Sequence, residues 1–135
     1  MTAVATTEQL AALQHACRQV YVDPSLIQYA VRLVSATRTP EKPDLADLRR
    51  FITYGASPRA SINLTEGSRA LAMLRGRTYV LPEDMTDLVP DVLRHRLVLS
   101  YEALSEGLTP DALVARIMAK IAAPAKPLEH EKLAA

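Results

Sequence analysis

Proline constrains this chain more than any other residue type. DPSL (23–26), SPRA (57–60), LPED (81–84) and TPDA (109–112) each set a Pro where a helix would begin. Proline at the first helical position loses nothing, because its missing N–H had no partner there and its fixed φ suits the helix. In three of the four a capping residue stands just before it: Asp23, Ser57 or Thr109. Four helix starts are therefore written into the chain. Thr6 and Gln9 offer a fifth, as a capping box ahead of LAALQHACRQV.

Apolar spacing supplies the helix faces. A first helix is expected from about residue 7 to 19, burying Leu10, Leu13 and Cys17. A second covers roughly 24 to 37, with Leu26, Ala30, Leu33 and Val34 on one side. TRTPEKPD (37–44) breaks the pattern with two prolines among polar residues and reads as a surface loop. LADLRRFITY (45–54) reads as a helical turn followed by an extended approach to Gly55. The third helix, 58 to about 75, ends against Gly76 as a left-handed cap. Its apolar stripe is Ala60, Leu64, Gly67, Leu71 and Leu74, with Gly67 marking the close approach of a neighbouring helix. Arg59, Asn63, Glu66 and Arg69 run along the opposite, polar side.

A fourth helix is expected at 82 to 89, with Pro90 kinking or restarting the chain into PDVLRH. TPDALVARIMAKIA makes the last helix, turning Leu113, Ile117 and Ile121 to one side. TYVL (78–81) and RLVLS (96–100) are short extended pieces that could pair with each other. Tyrosine supplies five of the six aromatics and tryptophan is absent, so the core must be Leu, Val, Ile, Ala and Met, which suits packed helices. The expected fold is all-α, a small bundle of about five to six helices with two short extended pieces. It forms one domain over 1–123, with 124–135 a frayed tail.

Much chemistry is excluded. The formal net charge of +1 argues against a strongly basic nucleic-acid binder. No run reaches the ~18 apolar residues of a membrane-spanning helix, and no export signal opens the chain. Cys17 is the only cysteine, which rules out an internal disulfide and a multi-thiolate zinc site. No GxxxxGK[ST] occurs, since the four glycines are scattered singly, so the chain holds no P-loop of its own. His15 and Cys17 lie two apart on a helix and point in different directions, a poor metal pair. His95 and His130 read as structural or surface residues. Glu83 and Asp84 suit the first turn of a helix, where dipole complementarity explains them. Nothing forms a self-contained catalytic site.

Arg59 is the residue out of place. In the first turn of a helix the free N–H groups and the macrodipole prefer an anion, and a cation is disfavoured by roughly 0.3–1 kcal/mol. Either Arg59 extends into water, or something negative arrives there.

Three ordered motifs, FITYGASPRAS (51–61), GRTYVLPEDM (76–85) and PDVLRHRLVLSYEA (90–103), resemble the C-terminal lid subdomain of MoxR-family AAA+ ATPases. The likeness extends from about residue 8 to Ile117. It implies a small helical domain that follows a P-loop core and closes over that core's nucleotide. The arginine of the GASPRA motif is the family's sensor 2 residue, here Arg59, and the missing anion becomes the γ-phosphate of ATP. Ser57, first of all the helix cap, and Asn63, one turn further on, would be its neighbours.

The resemblance further implies ATP with Mg2+ in the full-length parent and none held by this segment alone, and ATP hydrolysis by that parent. It implies a cytoplasmic homo-oligomeric ring, hexameric in relatives, that performs chaperone-like remodelling. Partners would be the P-loop core, neighbouring subunits and proteins with a metal-ion-dependent adhesion-type (VWA) domain, with no nucleic acid and no membrane. Met1 before TAVATTEQ looks like a start placed just ahead of the first lid helix, which would make the chain a piece of a longer one. INLTEGSRALAM departs from relatives at Thr65, Glu66 and Gly67, where they tend to alanine and leucine. No role is carried over to Arg94, His95 or Arg96. Two other readings stay open: a helical DNA-binding or histone-like module whose RGR (75–77) touches phosphates, and a structural adaptor with an apolar groove.

Overall fold

The computed structural model describes residues 4–38 and 43–125. Residues 39–42 of the expected loop and 126–135 of the expected tail lie outside the described residues. Within the described residues the chain forms α1 (Thr7–Arg18), α2 (Pro24–Ala36), a 3-10 segment (Pro43–Arg50), β1 (Ile52–Tyr54), α3 (Arg59–Leu74) and α4 (Pro82–Leu93). A second 3-10 segment (Arg94–Arg96), β2 (Val98–Leu99), α5 (Tyr101–Ser105) and α6 (Pro110–Lys120) complete it. The architecture is the expected all-α bundle with a minimal two-stranded sheet.

Helix α2 is the hub. The Asp23 carboxylate accepts the Ser25 N–H at 2.8 Å, Pro24 takes the first position, and Leu26, Tyr29, Ala30, Leu33 and Val34 are all buried. Helix α3 packs on it through Ala60, Leu64, Ser68 and Ala72. The expected stripe drifts here. Leu74 is 84% exposed, because the buried row continues at four-residue steps through Ser68, whose hydroxyl donates to the Leu64 carbonyl at 2.7 Å. A polar side chain that satisfies itself on the preceding turn can sit on a core face. Gly67 meets its expectation: a Cβ there would stand 3.2 Å from Leu88 Cδ1, so its absence lets α4 come close. Gly76 takes the left-handed φ of +74° that ends the helix.

Pro90 neither restarts nor ends the fourth helix, which runs unbroken to Leu93. An interior proline costs about 3 kcal/mol. Met85, Val89 and Leu93 are fully buried on either side of it, at about 1.5–3 kcal/mol each, and hold the helix together. Leu113, Val114 and Ile117 of α6 close the core from the other side, with Ile121 just beyond. Helix α5, capped by the Ser100 hydroxyl on the Ala103 N–H at 3.2 Å, adds a short turn that apolar spacing does not announce.

The two extended pieces do not pair with each other. β2 runs antiparallel to β1, with Ile52 opposite Leu99 and Tyr54 opposite Val98. TYVL instead makes one parallel bridge, Tyr79 to Tyr21, bracketed by Tyr21 N–H to Thr78 O and Val80 N–H to Tyr21 O, each 2.9 Å. The 3-10 segment buries Leu45 and Leu48 and delivers Phe51, 2% exposed, as the anchor of β1.

Helix α1 departs most from expectation. None of its residues is buried, and Leu10 and Leu13 are 53% and 51% exposed. With Val4, Ala5, Gln9, Ala12 and Ala16, Leu13 lines an open groove of about 570 Å³ over which no described residue lies. The helix is held at its C-terminal end, where the Arg69 guanidinium of α3 donates to the Arg18 and Val20 carbonyls.

Candidate functional site

The loop between β1 and α3 is fixed from beneath by the end of α2. Thr37 is buried, and its hydroxyl donates to the Val34 carbonyl at 2.7 Å while accepting the Ala56 N–H at 2.9 Å. Gly55 passes directly over the Thr37 peptide: a Cβ at 55 would stand 2.2 Å from the Thr37 oxygen and 2.8 Å from Arg38 Cγ. Only glycine fits such an approach. Ala56 is fully buried next to it. The chain therefore leaves a rigid seat at Ala56 and enters α3 three residues later, at Arg59.

The start of α3 is uncapped. Ser57 is exposed and its carbonyl accepts the Ala60 N–H at 2.9 Å, but no side chain caps the helix. This corrects the expectation that Ser57 is the cap. Pro58, in helical conformation at φ −55° and ψ −23°, comes between Ser57 and the first turn, and the Ser61 hydroxyl bonds the Pro58 carbonyl instead. The Ser57 and Pro58 carbonyls take the Ala60 and Ser61 N–H groups, at 2.9 and 3.1 Å, so the positive end of the helix carries no side-chain acceptor and keeps the dipole that favours an anion.

Arg59 stands at that end, exposed, and among the described residues it makes no hydrogen bond or ion pair. Asn63 is exposed one turn along the same side. Beside them lies a pocket of about 350 Å³ lined by Arg38, Thr53, Tyr54, Gly55, Ser57 and Pro58. The structure brings Ser57 into this pocket, whereas Arg59 and Asn63 lie outside its lining. Arg38 is the residue that sequence reasoning missed. It falls in a stretch that reads only as a polar break, and its place becomes visible once Gly55 is seen against Thr37.

The cations of RGR are already engaged. Arg77 holds the fully buried Asp84 through two bonds of 2.6 Å, and Arg75 reaches Asp84 at 2.8 Å and Asp87 at 2.7 Å. Asp84 also accepts the Leu81 N–H at 2.8 Å, fastening the start of α4. Burial raises the carboxyl's pKa, but the hydrogen bonds from Arg77, the Leu81 N–H and Arg75 outweigh it and leave the group below the ordinary 3.8. Asp84 is thus a clamp between the end of α3 and the start of α4, more than the dipole partner its position suggests. The phosphate role open to RGR loses both guanidiniums.

Arg94, His95 and Arg96 point to local partners. Arg94 pairs with Asp111 at 2.9 Å and Asp91 at 3.2 Å, His95 Nδ1 bonds the Asp91 carbonyl at 2.9 Å, and Arg96 donates to the Val92 carbonyl. Among the described residues no group of three or more His, Cys, Asp or Glu is arranged to hold a metal ion. No described helix is long and apolar enough to cross a membrane.

Comparison with known proteins identifies the family and the fold. The family described as the AAA lid domain matches residues 46–117. Chaperone MoxR1 of Mycobacterium tuberculosis is 41% identical over 121 residues, covering 90% of this chain and 32% of its own length. Protein MoxR of Paracoccus denitrificans is 39% identical over 111 residues, covering 78% of this chain and 32% of its own. A crystal structure from Cytophaga hutchinsonii, described as a candidate ATPase, superposes with a TM-score of 0.78 at 38% identity, over 82% of this chain and 34% of that one. The chain spans about a third of the length of the curated relatives it matches.

Proposed function

The chain belongs to the AAA lid domain family as a lid of the MoxR-type AAA+ ATPases, and on that premise we propose that it senses ATP through Arg59. The observation that carries the reading is a guanidinium, unpaired among the described residues, in the first turn of a helix without a side-chain cap, on a loop seated against Thr37. In a lone lid that cation sits against its own helix dipole. A γ-phosphate reverses the sign, because its oxygens accept from the guanidinium and lie at the positive end of the helix dipole.

Bound ATP supplies the phosphoryl group whose loss to water removes the anion. The site fits such a group, since among the described residues no acid lines the adjoining pocket and no side chain closes the helix end. Arg59 would hold the terminal phosphate, with Ser57 and Asn63 at its border. A P-loop core elsewhere in a longer polypeptide would hold the triphosphate and its Mg2+. Contact in the ATP state and its loss in the ADP state would swing the lid, residues 1–123, against that core. Positive charge aimed at the transferring group would also stabilise the charge that develops there.

In the whole protein we place this cycle in an ATPase that forms a homo-oligomeric, hexameric ring in the cytoplasm. Its task would be chaperone-like remodelling of partners, VWA-domain proteins among them. The name of the M. tuberculosis relative supports the chaperone class. The test is Arg59→Ala in the full-length ATPase. Turnover should fall or uncouple from remodelling, while the isolated domain keeps its fold. Unchanged turnover together with unchanged nucleotide affinity would remove the role.

A further inference from the structure

We infer that Arg38 is a second nucleotide-contacting cation, one that binds the part of the ligand retained after hydrolysis; this rests on the reading of Arg59 above. Among the described residues the pocket beside the start of α3 is lined by one charged residue, Arg38, together with Thr53, Ser57 and Tyr54. Arg38 is exposed and makes no ion pair among the described residues. A volume of about 350 Å³ suits a small polar anion or a segment of a larger one. Guanidinium and hydroxyls together make a wall for phosphate and sugar oxygens.

What ties Arg38 to Arg59 is the seat beneath them. Arg38 follows Thr37 directly in the chain, and Thr37 holds Ala56 through its hydroxyl and Gly55 through close backbone contact. The Arg38 stem itself runs along Gly55, with Cγ 2.8 Å from the Cβ position that glycine leaves open. The end of α2 and the start of α3 are therefore one rigid unit bearing two guanidiniums that make no ion pair among the described residues. Arg59 does not line the Arg38 pocket, so the two face different portions of a ligand that spans them. With Arg59 on the group lost in hydrolysis, Arg38 takes the group that stays.

The test uses the full-length ATPase with fluorescent ADP and a fluorescent non-hydrolysable ATP analogue. Arg38→Met, which keeps the stem along Gly55 and removes the charge, should weaken both nucleotides about tenfold or more. Its residual affinity should also depend less on salt. Arg38→Lys should recover part of the loss, and Arg59→Ala should weaken the ATP analogue alone. Where Arg38→Met lowers the melting temperature, Arg38→Gln is read in its place. Unchanged affinity in Arg38→Met alongside a weakened analogue in Arg59→Ala overturns this inference and leaves the Arg59 reading standing. Unchanged affinity in both overturns both. Unchanged nucleotide affinity with lost partner binding would assign the pocket to an acidic protein segment, which equally overturns it.

Discussion

Gly55 lies so close to Thr37 that a Cβ at position 55 would stand 2.2 Å from the Thr37 carbonyl oxygen. The obstacle is the Thr37 carbonyl, oxygen and carbon both, which as backbone cannot swing aside as a side chain would. Gly55→Ala should therefore cost about 1–3 kcal/mol through forced backbone shifts. Gly67→Ala is the control. There the obstacle is the tip of Leu88, which can yield, and alanine regains up to about 1 kcal/mol of helix propensity. Urea unfolding of the two variants should show a clear loss for the first and little change for the second. Equal losses would mean that the seat under the loop is not rigid.

Asp84 gives the chain an acid-sensitive clamp. Its folded pKa lies below 3.8, so the unfolded chain binds a proton more readily. The stability from this group is complete above the unfolded value and is lost as pH falls through the folded one. Thermal melts should decline below about pH 4. Asp84→Asn keeps a similar shape but leaves Arg77 and Arg75 with a neutral partner, and should cost about 1–3 kcal/mol at neutral pH. Its acid decline should be shallower than that of the parent chain. A parallel decline in both would place the acid sensitivity elsewhere.

Helix α1 should be the least protected helix. It buries none of its residues, and Arg69 holds it through the Arg18 and Val20 carbonyls. Leu10→Ser and Leu13→Ser should change the stability of this chain by no more than about 0.5 kcal/mol. Ile117→Ala in the core should cost about 2–5 kcal/mol. Arg69→Met should raise amide exchange across α1 while the melting of the rest moves far less. Protection of α1 equal to that of α4 would contradict this picture.

What the sequence made legible follows from how far each signal reaches. Pro24, Pro82 and Pro110 stand at helix starts as read, and Leu26, Ala30, Leu33 and Val34 face the core, because caps and periodicity are local. Strand partners are not local. FITY, TYVL, RLVLS and the YV at 21–22 carry similar extended patterns, and only the routing of α2 and α4 decides which of them meet. Leu10 and Leu13 have the spacing of a core face, yet burial needs a second surface, and none is described over them. Asp84 beside Glu83 reads as two first-turn acids, while the fold buries one of them under two arginines. At the candidate site the sequence marks Arg59 and Gly55. Arg38 becomes visible only when α2 is folded against the loop.

The last prediction separates a true helix cap from an open end. Asp23 and Thr109 each accept an N–H from the first turn of their helices, at 2.8 Å to Ser25 and 3.2 Å to Ala112. Replacing either by alanine should cost about 1 kcal/mol. Ser57 precedes a proline in the same way but accepts no such bond. Ser57→Ala should accordingly leave the chain's stability within about 0.5 kcal/mol of the parent. Similar sequence contexts thus carry opposite expectations, and the difference is whether the side chain before the proline accepts a first-turn N–H. At α3 the Ser57 and Pro58 carbonyls take the Ala60 and Ser61 N–H groups, so an anion beside Arg59 meets the guanidinium and the helix dipole with no side-chain cap in the way. A Ser57→Ala loss as large as that of Asp23→Ala would mean that the Ser57 side chain caps the helix in solution, and the nucleotide reading would lose its uncapped site.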